Sequence, residues 1–255
     1  MSGYKNLIYF SLLIFITTIS CAPADKLASG VVASETVINK DFGNQGTALS
    51  IHLNRGKHHN HPTFAVWIED MEGKVIQTLF VTQSFATGYY RYGSAGDGKW
   101  LKVPGEAIRP AALPYWVNRA ELNKGKIPDK ESPVADAYTG ATPEAGVRLD
   151  VQTIEMLPIS FRVLLEVNQP WDWNAYWNND KYLDEPDYKT SAQPSVVYAV
   201  TINLESMPDR FFLNPIGHGH YSGKDGILYT DLSNLTTALE IFTRSYVVIS
   251  RSNNK

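Results

Sequence analysis

Short runs of β-branched and aromatic residues, repeatedly interrupted by glycine, proline and asparagine, constrain the fold of this chain more than any other feature. The clearest pair is at 63–69 and 74–82, on either side of the turn sequence Asp-Met-Glu-Gly. In the first run, Phe64, Val66 and Ile68 share one face, as expected of a strand with a buried side. A glycine-containing turn between two such runs is typical of a β-hairpin.

The same pattern recurs along the rest of the chain. Helical periodicity is poor outside the N-terminal segment, and 232–242 is the single doubtful stretch. Many short strands separated by turn residues predict an all-β fold, specifically an antiparallel immunoglobulin-like β-sandwich with long inserted loops over 47–255. Further strands are predicted at 47–53, 146–153, 160–168, 195–204 and 241–250.

One stretch, at about 91–133, breaks the strand pattern. It is rich in glycine and proline and contains the run IRPAALPYW. Long ordered loops on β scaffolds often carry function, so this excursion is a candidate functional region. A solvent-exposed crossover between strands is the alternative.

The N-terminus has the layout of an export signal. Lys5 precedes an apolar run at 7–19, which is followed by Ser20 and Cys21. The run is shorter than the ~20 residues of a membrane-spanning helix, so residues 1–20 are predicted to be a signal peptide. Cys21 is the only cysteine, which excludes a disulfide within the chain. The sequence Thr-Ile-Ser-Cys resembles the bacterial lipobox, which implies a lipoprotein anchored to membrane lipid through Cys21.

The residues after the lipobox are small, polar and aperiodic. We interpret 21–46 as a flexible tether, joined late by one strand near 31–38, that holds the folded domain on an extracytoplasmic membrane surface. The charge balance of the chain is close to neutral, with 23 Lys and Arg, 26 Asp and Glu and a net charge of −3. No basic stripe is present, which argues against a nucleic-acid partner.

A seven-residue motif, DAYTGAT, offers a site of covalent modification. Asp136, Thr139, Gly140, Ala141 and Thr142 match the pattern Asp-x-x-Ser/Thr-Gly-Ala-Ser/Thr, which resembles the flavinylation motif of proteins with covalent FMN. In those proteins an exported FAD:protein FMN transferase attaches FMN to the last hydroxyl. The resemblance implies Thr142 as the acceptor and the transferase as a partner. A plain turn leading into the strand at 146 is the alternative.

The histidines fall into two groups that suggest a weaker hypothesis. His218 and His220 flank a glycine late in the chain, and imidazole is the commonest metal ligand, so a zinc or copper site is conceivable. No His-x-x-x-His helix, cysteine ligand or fixed carboxylate partner supports it. Surface loops of histidines are the favoured interpretation, and a metal is not expected. The early group comprises His52, His58, His59 and His61.

A third candidate is the aromatic and acidic stretch at 168–189. Trp171, Trp173 and Trp177 lie among asparagines and aspartates, a composition that suits a carbohydrate-binding platform or stacking on an isoalloxazine ring. The alternative is that these rings close one end of the sandwich. Glu166 and Asp172 could act as an acid–base pair, but their spacing does not single them out, and no hydrolase is proposed.

Several longer segments resemble one family. TFAVWIEDMEGKVIQTLFV, RPAALPYW and DAYTGATPEAG are similar to a predicted periplasmic family of unknown function found alongside FAD:protein FMN transferases. EVNQPWDWNAYW and GHGHYSGKDG resemble a version typical of Bacteroidetes lipoproteins. The resemblance implies an immunoglobulin-like hairpin around 66–74 and carries over no catalytic residue.

These observations together predict an exported, lipid-anchored and non-enzymatic protein that carries covalent FMN for extracytoplasmic electron transfer. The competing hypothesis is a carbohydrate- or protein-binding surface module that uses the aromatic platform.

Overall fold

The computed structural model describes residues 35–43, 45–97, 99–120, 125–206 and 208–250. Strands predominate in this part of the chain, and its three α-helices are short. The strands are β1 (Glu35–Asp41), β2 (Ala48–Leu53), β3 (Thr63–Glu69), β4 (Val75–Thr82), β5 (Tyr89–Tyr90), β6 (Ser94–Gly96), β7 (Lys99–Trp100), β8 (Gly105–Glu106), β9 (Thr139–Gly140), β10 (Gly146–Gln152), β11 (Ser160–Asn168), β12 (Val196–Asn203), β13 (Phe211–Phe212), β14 (Asn214–His218) and β15 (Tyr246–Ile249). The helices are α1 (Gln83–Thr87), α2 (Pro114–Arg119) and α3 (Pro186–Ser191).

Two sheets form the body of the fold. The first has the strand order β1-β10-β2-β15-β13 and the second has the order β14-β12-β11-β3-β4-β9. Two small hairpin-like pairs, β5 with β8 and β6 with β7, stand apart from these sheets. Most neighbouring strands are antiparallel, but β1 with β10 and β4 with β9 are parallel.

The two sheets enclose the main hydrophobic core. β2 shows the alternation that a one-sided strand requires, with Leu49, Ile51 and Leu53 fully buried between less buried residues. Phe64 and Val66 of the second sheet belong to the same core cluster. Burial of apolar area stabilises such a core by about 25 cal/mol per Å². The all-β sandwich predicted from the sequence is therefore confirmed, and its immunoglobulin-like character stays a prediction.

The predicted strands agree closely with the observed ones. The runs at 63–69 and 160–168 match β3 and β11 to the residue. The predicted strand at 241–250 is shortened to β15. Ile241 and Phe242 are buried in the main core, and Phe242 forms only an isolated bridge with Arg55. The doubtful stretch at 232–242 contains only a short 3-10 turn, Thr237–Glu240.

The tether prediction for 21–46 extends too far. β1 pairs in parallel with β10 over its whole length, from Glu35 opposite Gly146 to Asp41 opposite Gln152. Its Ile38 side chain packs against the core, so this strand belongs to the sandwich. The strand predicted near 31–38 is therefore observed at Glu35–Asp41, and residues 31–34 lie outside the described part of the chain.

The signal peptide at 1–20 and the lipidation residue Cys21 lie outside the described residues. Among the residues that the structure describes, none of the helices is long and apolar enough to cross a membrane. Both N-terminal assignments stay predictions.

The excursion at 91–133 contains a packed segment, the buried run 111–117, while most of its other described residues are exposed. Its helix α2 lies against the outer face of the second sheet, where Trp116 and Leu113 join Trp67 and Leu164 in a second hydrophobic cluster. β3 is buried on both faces for this reason, since Phe64, Val66 and Ile68 face one cluster and Ala65 and Trp67 face the other.

A buried carboxylate holds this segment in place. Glu166 of β11 is fully buried and accepts hydrogen bonds from the backbone N–H groups of Tyr115 (3.2 Å) and Trp116 (2.7 Å), in the first turn of α2. The hydroxyl of Ser195 donates a third bond to it at 2.6 Å. These first-turn N–H groups have no partner within the helix, so the carboxylate takes the place of a capping side chain. Burial raises the pKa of Glu166 to about 7.

Candidate functional site

The flavinylation motif forms a constrained segment at the edge of the second sheet, which we call the Thr142 loop (residues 136–145). A 3-10 turn at Asp136–Tyr138 leads into β9, where Thr139 and Gly140 pair with Val81 and Thr82 of β4. Lys40 of β1 donates from Nζ to the carbonyl oxygen of Thr139 at 2.8 Å. Burial lowers the pKa of Lys40, and the nearby Asp136 carboxylate partly opposes that shift. The first residues of the motif therefore hold the shape of the loop.

Gly140 is required for close packing. A Cβ atom at this position would lie 2.6 Å from Cε2 of the Phe80 ring, which is fully buried in the main core. No real contact is that short, so any larger residue must displace the ring or the loop. The small residue that the motif requires thus fits a tight approach to the core.

We expect Gly140→Ala to destabilise the fold by about 1–3 kcal/mol, the usual cost of overpacking a core. Urea unfolding followed by tryptophan fluorescence measures this change. Ala141→Ser, at the exposed neighbouring position, is the control and should change stability little. Equal stability of the Gly140→Ala variant and the wild-type protein would show that Phe80 moves without cost.

Thr142 opens into a cavity of about 350 Å³. This volume is at the lower end of the range of about 300–1,000 Å³ that is usual for small-molecule sites. The Thr142 side chain is half-buried, and its hydroxyl has no hydrogen-bond partner among the described residues. The cavity is also lined by Tyr90, Tyr92, Arg109 and Trp171.

Trp171 brings the aromatic stretch of the sequence to this cavity. Its ring is 42% exposed and contacts Trp100 edge-on, with centroids 5.8 Å apart. Its backbone φ of 56° lies in the left-handed region, which is rare for a bulky residue. Such strained residues tend to cluster at functional sites. The sequence motif and one of the three predicted tryptophans therefore meet at a single place.

Arg109 is the residue that the sequence did not point to. Its side chain is only 6% exposed, and its guanidinium carbon lies 3.8 Å from the centre of the Tyr90 ring and 4.5 Å from that of Trp100. Burial lowers the pKa of Arg109 and raises that of Tyr90. The one sequence signal that could have identified Arg109 is its charge, since it is the only cation in the otherwise apolar run IRPAALPYW.

Trp173 and Trp177 do not share an exposed face with Trp171. Trp177 is 6% exposed and belongs to the main core cluster, against which Trp173 is packed. Both rings contact Tyr188. The structure thus separates the three residues of the predicted platform: Trp177 and Trp173 pack in or against the main core, and Trp171 is exposed.

A second, smaller cavity of about 200 Å³ is lined by both Trp177 and the late histidines. His218 contacts the carbonyl oxygen of Gly219 through Nδ1 at 2.7 Å, and Nδ1 of His220 accepts from the backbone N–H of Ser222 at 3.2 Å. Within the described residues, no group of three or more His, Cys, Asp or Glu side chains could hold a metal ion. The pair therefore lacks further ligands of these types in this part of the chain.

The early histidines have separate surroundings. His52 lies 3.2 Å from the Glu35 carboxylate, and His58 lies 3.1 Å from that of Glu240. His59 is buried, which lowers its pKa to about 4. His61 lines the cavity beside Thr142. No common site joins them to His218 and His220 in the described residues.

Glu166 and Asp172 do not form a catalytic pair. Glu166 is occupied by the first turn of α2, and one oxygen of Asp172 accepts a hydrogen bond from Thr237. Burial raises the pKa of Asp172. Both carboxylates hold loops against strands.

A larger depression, about 710 Å³, is an open groove on the outer face of the first sheet. Three of its polar side chains are paired with one another, through the bonds from Ser50 (2.5 Å) and Arg148 (3.0 Å) to the Asp150 carboxylate. The cavity beside Thr142 is the better candidate, since it combines the Thr142 hydroxyl and the Arg109 guanidinium, neither of which has a hydrogen-bond partner in the described part of the chain.

Comparison with family models, curated proteins and solved structures finds no match to this chain.

Proposed function

We propose that this protein carries FMN, joined to Thr142 by a phosphoester, and acts as an electron-transfer protein outside the cytoplasm. The observation that carries the proposal is that the unpartnered hydroxyl of Thr142 opens into an aromatic, positively charged cavity. A hydroxyl buried in a strand would be out of reach of a transferase. The accessible position of Thr142 instead agrees with the role that the motif implies.

The lining of the cavity fits a flavin. Trp171 and Tyr92 are partly exposed rings that can stack on an isoalloxazine. The described residues that line the cavity include Arg91, Arg109 and His61 but no carboxylate, which suits a phosphate group. A bound FMN would supply one- and two-electron chemistry, while the protein supplies binding, orientation and electrostatics.

The attachment itself requires a second protein. Thr142 Oγ would attack the FMN-side phosphorus of FAD, the pyrophosphate bond would break, and AMP would leave. The hydroxyl proton must pass to a base, because an alkyl hydroxyl is a weak nucleophile without one. No titratable side chain hydrogen-bonds to Thr142 among the described residues, so the base belongs to the transferase. This chain is then a substrate of that enzyme and not itself an enzyme.

The predicted lipid anchor at Cys21 agrees with this role. Export would bring the domain to the compartment in which the flavin transferase works. A membrane surface would then hold the protein close to membrane-bound redox partners.

The test is to produce the full chain in a bacterial periplasm with and without an FAD:protein FMN transferase. Tryptic cleavage after Lys130 and Arg148 releases one peptide, 131–148, that contains Thr142. We expect this peptide to gain the mass of one FMN less water only when the transferase is present, together with a fluorescent band on a denaturing gel. An unmodified peptide in the presence of active transferase contradicts the proposal.

A further inference from the structure

The guanidinium of Arg109 is buried without a counter-ion. None of its N–H groups has an acceptor among the described residues, and its Nε atom is fully buried. Buried charges are normally paired, because an uncompensated charge has lost its hydration without gaining a partner. The described residues that line the cavity include no carboxylate. Glu144 approaches His61 at 3.8 Å and is itself largely exposed.

Aromatic rings hold this cation in place. Tyr90 and Trp100 lie against the guanidinium, and the faces of aromatic rings attract such a cation. Trp100 in turn contacts Trp171, so one continuous aromatic group links the cation to the exposed ring. The contacts are made through the rings, which leaves the N–H groups of Arg109 for a ligand.

We infer that Arg109 is the anion-binding group of this cavity and that its ligand is a planar aromatic ring system bearing a phosphate. This inference rests on the proposed function, in which the ligand is the FMN group. The guanidinium N–H groups would bind the phosphate, for which arginine geometry is well suited, and Trp171 would stack on the ring system. Arg109 would thereby position the phosphate beside the Thr142 hydroxyl.

The inference is tested on protein made without a transferase, so that Thr142 carries no flavin. The full chain is titrated with FMN, with riboflavin and with inorganic phosphate, and binding is followed by flavin fluorescence. We expect FMN to bind at least about ten-fold more tightly than riboflavin, because only FMN has the phosphate. Inorganic phosphate should compete with FMN. Equal affinities for FMN and riboflavin in the wild-type protein would overturn the inference without any variant.

Two arginine variants identify the group responsible. Arg109→Gln should remove the preference for FMN over riboflavin, and Arg109→Lys should restore part of it. Arg210→Gln is the control, since Arg210 also lies over an aromatic ring, that of Tyr246, but is exposed and is not among the described residues that line the cavity. We expect less than about a three-fold effect from this change. Loss of the preference in Arg91→Gln, with the preference retained in Arg109→Gln, would overturn the assignment, because Arg91 also lines the cavity.

Folding is checked separately, because Arg109 is buried. Near-ultraviolet circular dichroism and thermal unfolding show which variants are folded, and only those are titrated. Trp171→Ala is a second variant, at an exposed position, and should weaken the binding of FMN and of riboflavin by similar factors. Unchanged binding of both flavins by this variant would contradict the predicted ring contact.

The two proposals fail in different ways. An unmodified Thr142 peptide together with a clear FMN preference would reject covalent attachment and leave Arg109 as an anion-binding residue. A flavinylated Thr142 in a protein that binds free FMN and riboflavin equally would support the proposed function and reject the role of Arg109.

Discussion

Thr142→Ala is expected to abolish flavin attachment, because it removes the oxygen through which the proposed phosphoester forms. The hydroxyl makes no hydrogen bond with the described residues, and the side chain is half-buried, so the fold should remain stable. The measurement is the mass of peptide 131–148 after co-expression with the transferase. We expect no detectable peptide 131–148 that carries the added mass of FMN.

Two control variants make this result specific. Thr142→Ser retains a hydroxyl and should still be modified. Ser132→Ala removes a different hydroxyl from the same tryptic peptide and should leave the modification unchanged. Flavin on the Thr142→Ala peptide would show that the acceptor is another residue.

Glu166→Ala is expected to destabilise the fold more than any other single truncation of a polar side chain discussed above. It leaves the N–H groups of Tyr115 and Trp116 and the hydroxyl of Ser195 without their acceptor in a buried site. Each unsatisfied buried donor costs about 1–3 kcal/mol, and the empty volume adds to the loss. We expect a loss of about 3 kcal/mol or more in the free energy of unfolding.

Chemical denaturation measures that loss. Glu144→Ala is the matched control, because it removes a carboxylate whose side chain is 86% exposed and should change stability by less than ~0.5 kcal/mol. A decrease in the near-ultraviolet signal of Trp116 and its neighbours would follow if α2 leaves the sheet. Wild-type stability of Glu166→Ala would mean that water replaces the carboxylate fully.

The same residue should make stability depend on pH. Burial raises the pKa of Glu166 in the folded protein to about 7, above its ordinary value of 4.5, so the folded state binds the proton more tightly than the unfolded state. The stabilisation from this group is fully present below about pH 4.5 and is lost as the pH rises through 7. The total change is about 3 kcal/mol.

Glu166→Gln isolates this effect, because all other titrating groups are shared with the wild-type protein. We expect the stability of the wild-type protein, relative to Glu166→Gln, to fall between pH 4.5 and pH 7. A difference that does not vary with pH would show that Glu166 does not titrate in this range.

The sequence predicted those parts of the fold that depend on local pattern. β3 and β11 were found to the residue, because their apolar and β-branched runs end at residues that favour turns. β1 was predicted only roughly, as a strand near 31–38 within the tether, since its membership of the sandwich depends on pairing with β10, far along the chain. Helix α2 was missed because its first turn depends on Glu166, another distant residue.

The candidate site shows the same division. Thr142 was found from a contiguous motif, and Trp171 from a local cluster of aromatic residues. Arg109 could not be found, because its lack of a counter-ion and its contacts with Tyr90 and Trp100 exist only after the chain has folded. Trp177 was misplaced on an exposed platform, since composition alone does not distinguish a buried ring from an exposed one.

The parallel pairing of β1 with β10 fixes the end of the sandwich at which β1 begins. Glu35 lies opposite Gly146, which follows shortly after Thr142, so the chain enters the sandwich at the end that bears the candidate attachment residue. If Cys21 is lipidated, the segment from Cys21 to Glu35 can span at most about 50 Å when fully extended. A redox group on Thr142 would then meet its partner by diffusion in the two dimensions of the membrane rather than in three. The length of the segment would limit the height above the lipid at which electron transfer can occur.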